Sequence, residues 1–197
     1  MEPARKTTHR RDSVATRARI EKEALRLFAE KGVDGATIKD IAQAVGVADA
    51  ALYRYYPSKE DIARDVFTRH YAALSEEIRA IGARAEPFAA TARALVKLLC
   101  ELFDGAPDVF SFILLNQHAH LRYVGRRGNA VEELRVIMAR AHARGEIAIG
   151  DPDLAAAVAL GAALQPAVFK LYGRLPGPLT DHAEALAVAA IRAVGAA

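Results

Sequence analysis

Between Thr37 and Lys59 the chain has few ways to fold, because two short apolar periodicities are separated by a single glycine and closed by a proline. Ile38, Ile41, Ala42 and Val45 fall at i, i+3, i+4 and i+7, the spacing that lines one face of a helix and leaves Lys39, Gln43 and Ala44 outside. Thr37 precedes this run with Asp40 three residues on, an approximate capping box that ties down the first amides of the helix. Gly46 then supplies the left-handed backbone that a side chain resists. A second helix follows, with Val47 and Leu52 inward and Asp49, Ala50, Tyr53 and Arg54 outward, and Pro57 stops it. Two short amphipathic helices hinged at a glycine are the layout of a helix-turn-helix DNA reader.

The outward ridge has the chemistry for that task. Ala50 and Ala51 let the backbone come close to base edges, Arg54 can reach a guanine or a phosphate, and Tyr53 can reach a phosphate. Thr37, Lys39 and Tyr55 flank the ridge and complete its expected contact set with Asp49 and Lys59. Ser58 is placed to cap a third helix, which puts Lys59 in the first turn. The helix dipole disfavours a cation there by about 0.3–1 kcal/mol, so a phosphate partner would give Lys59 a reason to be present. The competing reading is a helical hairpin inside an ordinary core, with Lys59 in solvent.

The order of residues is more specific than the generic motif. Leu27-Phe28-Ala29-Glu30-Lys31-Gly32 leads into Ala36-Thr37-Ile38-Lys39-Asp40-Ile41-Ala42 and then into Leu52-Tyr53-Arg54-Tyr55-Tyr56-Pro57-Ser58-Lys59-Glu60. This stretch, about residues 14 to 66, resembles the N-terminal domain of the tetracycline-repressor (TetR) family, while residues 67 to 197 resemble that family only in helical layout. The resemblance implies a DNA-binding regulator whose last two long helices pair with their copies as a four-helix dimer bundle, and whose body responds to a small molecule. Two positions depart from the pattern. The serine that often caps the recognition helix is Ala48, and Asp49 puts an acid at the helix start, either taking over the cap or selecting a base, for instance by accepting from cytosine N4.

Charge is distributed as a reader needs it. Residues 1–60 hold 12 Lys plus Arg against 9 Asp plus Glu, and residues 61–197 hold 15 of each, so the formal charge of +3 belongs to the first segment. Most of it is concentrated in Arg5, Lys6, Arg10, Arg11, Arg17 and Arg19 against Glu2 and Asp12, and a flexible basic arm before the reader, residues 1–13, can follow phosphates or enter a minor groove; for Arg5 and Lys6 a solvated disordered tail is the alternative. A modest net charge argues against a protein that coats DNA by bulk electrostatics. With 197 residues, 52% of them hydrophobic, the chain can bury a sizeable core. Cys100 cannot form an internal disulfide, which fits a reducing cytoplasm, and burial is expected for it. No apolar leader is visible at the charged N-terminus. The most membrane-like stretch, Leu154 to Phe169, is Ala-rich, carries Gln165 and Pro166, and falls short of the roughly 20 residues of a spanning helix. It reads as a buried helix.

The expected fold is all-α: a three-helix helix-turn-helix domain at 14–60, then a helical ligand-binding and dimerisation domain at 61–197. Strand patterns are absent and the glycine and proline breaks fall at helix-length intervals. Ile20, Ala24, Leu27 and Phe28 give a first helix an inner face that would brace the reader, and a long helix from Ser58 to about Ile81 would connect reader to body. Leu154, Val158, Leu160, Leu164, Val168 and Leu171 surround most of the helix from Pro152 to Tyr172, so a single neighbour cannot cover it. Phe103, Phe110, Leu114, Met138 and Phe169, interspersed with His118 and Gln165, are the expected lining of a site for a mainly apolar effector, with Pro166 kinking its helix beside them. The alternative for each aromatic is plain core.

Catalysis is not expected. His118 and His120 are two apart, which points them to separate faces of a helix, so they read as solvent-exposed rather than as a metal pair. No glycine-rich phosphate loop, H-E-x-x-H, C-x-x-C or G-x-S-x-G pattern occurs. The sequence therefore reads as a cytoplasmic, cofactor-free homodimeric regulator that binds double-stranded operator DNA and a small-molecule effector, with no membrane partner. A ligand-free DNA-binding dimer, and an all-helical enzyme or carrier, are the alternatives.

Overall fold

Helix follows helix along the whole described chain, as the spacing of glycines and prolines dictates. The structure, a computed structural model, describes residues 4–125 and 128–196, with side chains from residue 13 on. Among these residues the order is α1 (Ala4–Gly35), α2 (Ile38–Val45), α3 (Asp49–Leu52), α4 (Lys59–Gly82), α5 (Phe88–Gly105), α6 (Pro107–His120), α7 (Ala130–Ala143), α8 (Pro152–Leu171) and α9 (Ala183–Ala193), with single 3-10 turns at Leu121–Tyr123 and Leu179–His182 and no strand. The basic segment expected as an arm before the first helix is continuous with α1 from Ala4 onward; its first three residues lie outside the described range. Gly32, at φ 74° and ψ 164°, breaks α1 where the sequence places its end.

Two compact units are formed: Met1–Arg69 with Ser111–Tyr123, and His70–Phe110 with Val124–Ala197. The sequence reading sets its boundary after residue 60 and keeps 61–197 together. The units instead divide α4 after Arg69 and take most of α6 into the first. Aromatic packing explains this. Phe112 of α6 is fully buried with its ring 5.7 Å from Phe28 of α1, near-parallel, and 6.4 Å from Phe67 of α4, edge-on. With Ile20, Ala24, Ile41, Ala42, Val45, Leu52, Ile62 and Val66 these rings form the core of the first unit.

In the second unit α9 packs against α5 and α8, and α8 also against α7. Two loops are pinned by carboxylates. Asp104 accepts from the amides of Leu179 (2.8 Å) and Thr180 (2.9 Å), and Glu146 accepts from the amide of Phe88 at 2.9 Å, supplying the cap that Pro87 lacks. Cys100 is fully buried, and burial, with Asp104 and Glu101 nearby, pushes its thiol up to about 11. α8 departs from the sequence reading of a buried helix. It spans 20 residues, runs unbroken through Pro166, and is long and apolar enough to cross a membrane by length and composition, yet only 22% of its most apolar window is buried. Ala155, Ala156, Ala163 and Ala167 face inward, while Leu154, Phe169 and Leu171 are exposed.

Gly46 adopts φ 75° and ψ 38°, and a Cβ there would meet no atom within 4 Å, so any substitution is penalised by backbone conformation alone. Gly46→Ala is expected to lower unfolding stability by about 1–2 kcal/mol in urea titrations, with Gly46→Asn costing less because asparagine tolerates the left-handed region.

Candidate nucleic-acid interface

The reader begins at a complete capping box. Thr37 Oγ1 accepts from the Asp40 amide at 3.1 Å, and the Asp40 carboxylate accepts from the Thr37 amide at 3.0 Å and from its hydroxyl at 2.8 Å. Those bonds hold the Asp40 carboxyl below its ordinary range. Thr37 remains exposed, but its hydroxyl is committed to the cap. At the far end of α2 the Gly46 amide donates to Gln43 O (3.1 Å) and the Val47 amide to Ala42 O (3.0 Å), which closes the helix and turns the chain.

α3 is a single turn seated on Leu52, which is fully buried. Its cap position is Ala48, extended at φ −71° and ψ 147°, with no side-chain bond to the helix. Asp49 does not take over the cap. It is already the first helical residue, so its exposed carboxylate meets the positive end of the turn without closing it. Helical bonding continues irregularly past Leu52, from the Tyr55 and Tyr56 amides to Leu52 O at 2.9 and 3.1 Å. Ala50, Tyr53 and Arg54 are exposed on this turn, Ala51 and Tyr55 half-buried, and Lys39 is exposed on α2. Among the described residues, the side chains of Lys39, Asp49, Tyr53 and Arg54 make no hydrogen bond or ion pair within the chain.

Lys59 is different. Its ammonium donates to three carbonyls at the end of α1 and the start of the α2 cap: Val33 O at 2.8 Å, Asp34 O at 3.1 Å and Ala36 O at 3.0 Å. The cation that looked misplaced at the start of α4 sits at the C-terminal end of α1, where unpaired carbonyls and the dipole favour it. Ser58 caps α4 as expected, accepting from the Asp61 amide at 3.1 Å.

A polar network absent from the sequence reading holds the end of α3. The Tyr56 hydroxyl lies 2.7 Å from Glu21 Oε1 of α1 and 2.8 Å from Asp65 Oδ2 of α4, donating to one at a time. Arg17 donates to the Tyr56 oxygen (3.0 Å), to Glu21 (3.2 Å) and to Asp65 (3.0 Å). Arg69 donates to both Glu21 oxygens and to Asp65. Burial alone would raise the Glu21 carboxyl, but hydrogen bonds from Arg69, Tyr56 and Arg17 outweigh it and hold it below the ordinary range. For Asp65 burial likewise opposes, and Tyr56 and Arg17 prevail. The Tyr56 phenol is pushed upward by burial and by its bonds to the two carboxylates.

The expected effector residues are not gathered in one unit. Leu114 and His118 belong to the first; Phe103, Phe110, Met138, Gln165 and Phe169 belong to the second. His118, Gln165 and Phe169 are exposed. Phe103 and Phe110 are buried edge to face with ring centroids 5.0 Å apart, and Met138 is buried. A small cavity of about 10 Å³ lies elsewhere in the second unit, between Gly82, Phe88, Thr91 and Ile137, with room for about one water. His120, expected in solvent, is buried instead, 5.1 Å from the Phe67 ring, with its Nδ1 unpaired among the described residues; burial lowers its pKa.

A glycine-hinged pair of helices on an aromatic core, presenting free basic and phenolic side chains from one rigid turn, defines a helix-turn-helix DNA-binding module. Residues 20–66 match the family described as bacterial regulatory proteins, tetR family. The likeness to that family lies in this stretch. The chain is 34% identical over 80 residues, 41% of its length, to the HTH-type transcriptional repressor KstR2 of Rhodococcus jostii. Its fold is similar to that of the fatty acid degradation regulator FadR from Bacillus halodurans (TM-score 0.77, 17% identity, covering 92% of this chain and 97% of that one). It is similar also to FadR from Bacillus subtilis in complex with stearoyl-CoA (TM-score 0.72, 19% identity, 90% and 98% covered). The matched stretch spans only a quarter to two fifths of the curated relatives' own lengths.

Because Glu21 and Asp65 titrate below their ordinary values, their contribution to stability is fully present above the ordinary carboxylate range. It is lost as pH falls through the lowered folded values. Tyr56→Phe removes the one donor that the two carboxylates share and is expected to cost about 1–3 kcal/mol near neutrality. It should also flatten the acid limb of stability against pH, as read by urea unfolding at stepped pH.

Proposed function

We propose that this chain is a ligand-responsive, one-component transcriptional regulator, in its simplest form a repressor, that binds a palindromic operator as a homodimer. The observation that carries the reading is the contrast in the first unit between side chains spent on holding the fold and those left free. Arg17, Lys59 and Arg69 are engaged internally, whereas Tyr53 and Arg54 project from the turn that Ala50 and Ala51 keep low and Lys39 is exposed on α2. Arg54 reads a base edge, Lys39, Tyr53 and Tyr55 approach phosphates, and Asp49 accepts from cytosine N4. Selection of duplexes from genomic fragments by the purified protein tests the reading, and an absence of enrichment would defeat it. Arg54→Ala is expected to weaken the selected duplex by about 1–3 kcal/mol and random duplex much less, in titrations at fixed salt.

Dimerisation is supported by α8. A soluble helix that leaves Leu154, Phe169 and Leu171 exposed needs cover, and a second copy of α8 with α9 supplies it while giving the reader two half-sites. Gly161 lies on the exposed side with nothing within 4 Å of a built Cβ, so Gly161→Glu is compatible with the folded chain. That variant is expected to sediment as a monomer with native helix content, where the wild type sediments as a dimer; a monomeric wild type would overturn the interface.

The effector is a small, largely apolar molecule. The solved structure of the Bacillus subtilis FadR holds stearoyl-CoA, and the second unit of this chain contains Phe103, Phe110 and Met138 as buried apolar side chains. Their tight packing favours the competing reading, a ligand-free dimer. A thermal-shift titration with stearoyl-CoA and shorter acyl thioesters separates the two. Stabilisation must be matched by a reciprocal loss of operator affinity, because the coupling between two sites is the same from either side.

A further inference from the structure

We propose that Lys59 is a positioning residue of the reader, a tie that sets the angle between α1 and α2, and not a contact to DNA phosphate; the proposal rests on the DNA-binding reading above. An ammonium has three donors, and here each has a carbonyl at 2.8–3.1 Å, on Val33, Asp34 and Ala36. These acceptors straddle the joint. Val33 and Asp34 end α1 beyond the Gly32 break, and Ala36 immediately precedes the Thr37 cap of α2. At the joint itself φ is positive at Gly32 and the Ala36 amide bond to Gly32 O is a long 3.2 Å; further along, α1 packs on α2 and Arg19 donates to Val45 O at the far end of α2, so Lys59 is the side chain that acts at the N-cap end.

The tie is placed where it matters for recognition. Lys59 opens α4, so one side chain binds the first residue of α4 to the end of α1 and the beginning of α2, and α3 lies in the chain between those fixed points. A tilt of α2 at its N-cap moves α3 through the Gly46 hinge. Moving the ammonium to a phosphate would leave three carbonyls without their shared donor at a helix end.

The test uses the full-length protein and a duplex that the wild type selects from a random pool, with poly(dI-dC) as the non-specific competitor. Lys59→Met keeps the alkyl stem and removes the donors. Below the variant's unfolding midpoint, affinity for the selected duplex is expected to fall about tenfold, the worth of one misplaced base contact. Affinity for poly(dI-dC) and the slope of log affinity against log salt should stay as in the wild type. Amide exchange at Ile38, Lys39 and Asp40 should quicken in the DNA-free variant. A phosphate contact would instead weaken both DNAs alike and make the slope about 1 shallower, overturning the proposal. A lower melting temperature with unchanged affinity for the selected duplex would reduce Lys59 to a stability role and overturn it too. If the wild type selects no duplex, the regulator reading fails and the positioning role falls with it. Unchanged exchange at the joint, with selection intact, would reject the tie alone.

Discussion

A recognition helix of one turn cannot hold its own shape. Four residues provide almost no internal hydrogen bonding, and an isolated helix of fewer than about 12 residues is marginal in water, so the direction in which Ala50, Tyr53 and Arg54 point is decided by what surrounds α3. Leu52 anchors it below, on a core built from Phe28, Phe67 and Phe112. Tyr56 holds its exit, with one hydroxyl between two carboxylates from two other helices and two guanidiniums closing the array. The network is worthwhile because it is nearly fully satisfied: Glu21 is buried and would be costly alone, but four hydrogen bonds from three side chains leave its carboxylate charged.

The same accounting changes what the sequence charge means. The first 60 residues carry the whole formal excess, and counted as a field that excess looks like a general affinity for polyanions. In the folded chain much of it is internal. Arg17 and Arg69 face Glu21 and Asp65, Arg26 bridges Glu23 and Glu30, Arg64 meets Asp61, Arg19 donates to Val45 O, and Lys59 is held by carbonyls. Cations engaged in this way fix geometry and contribute little to attraction at a distance. On the proposed reading discrimination would then rest on a few projecting groups, which would suit a protein that must leave non-specific sites readily.

How legible this was in the sequence follows from the range of each interaction. Thr37, Asp40, Gly46 and Ser58 act on residues within four positions of themselves, and their roles in the structure are those their spacing implies. Leu52 and the α2 face follow from helical periodicity. Tyr56, Phe112 and His120 act across 9 to 39 residues or more, and nothing in their neighbourhood announces it. Phe112 sits among apolar residues that equally fit a cavity wall, so the pattern alone could not tell that its ring belongs under the reader. Lys59 misleads for a related reason: from α4 alone it faces the wrong end of a dipole, and the favourable end of α1 becomes visible only in three dimensions.

α8 carries the opposite lesson, since there the sequence shows the constraint and the single chain shows it unmet. An apolar helix flanked by Asp151 and Asp153 at one end and Lys170 at the other, and packed on α7 and α9 through its alanines, already has one face committed to a protein core. The small inward residues let that packing be close and leave the branched and aromatic side chains on the opposite side, so burying more of them within the same chain would require the alanine face to be given up. A second surface of matching shape is therefore the economical cover, and a self-complementary one comes from a two-fold axis. In the proposed dimer such an axis would also meet the limitation of α3, because a reader with so few projecting side chains gains affinity chiefly by being used twice at a fixed spacing.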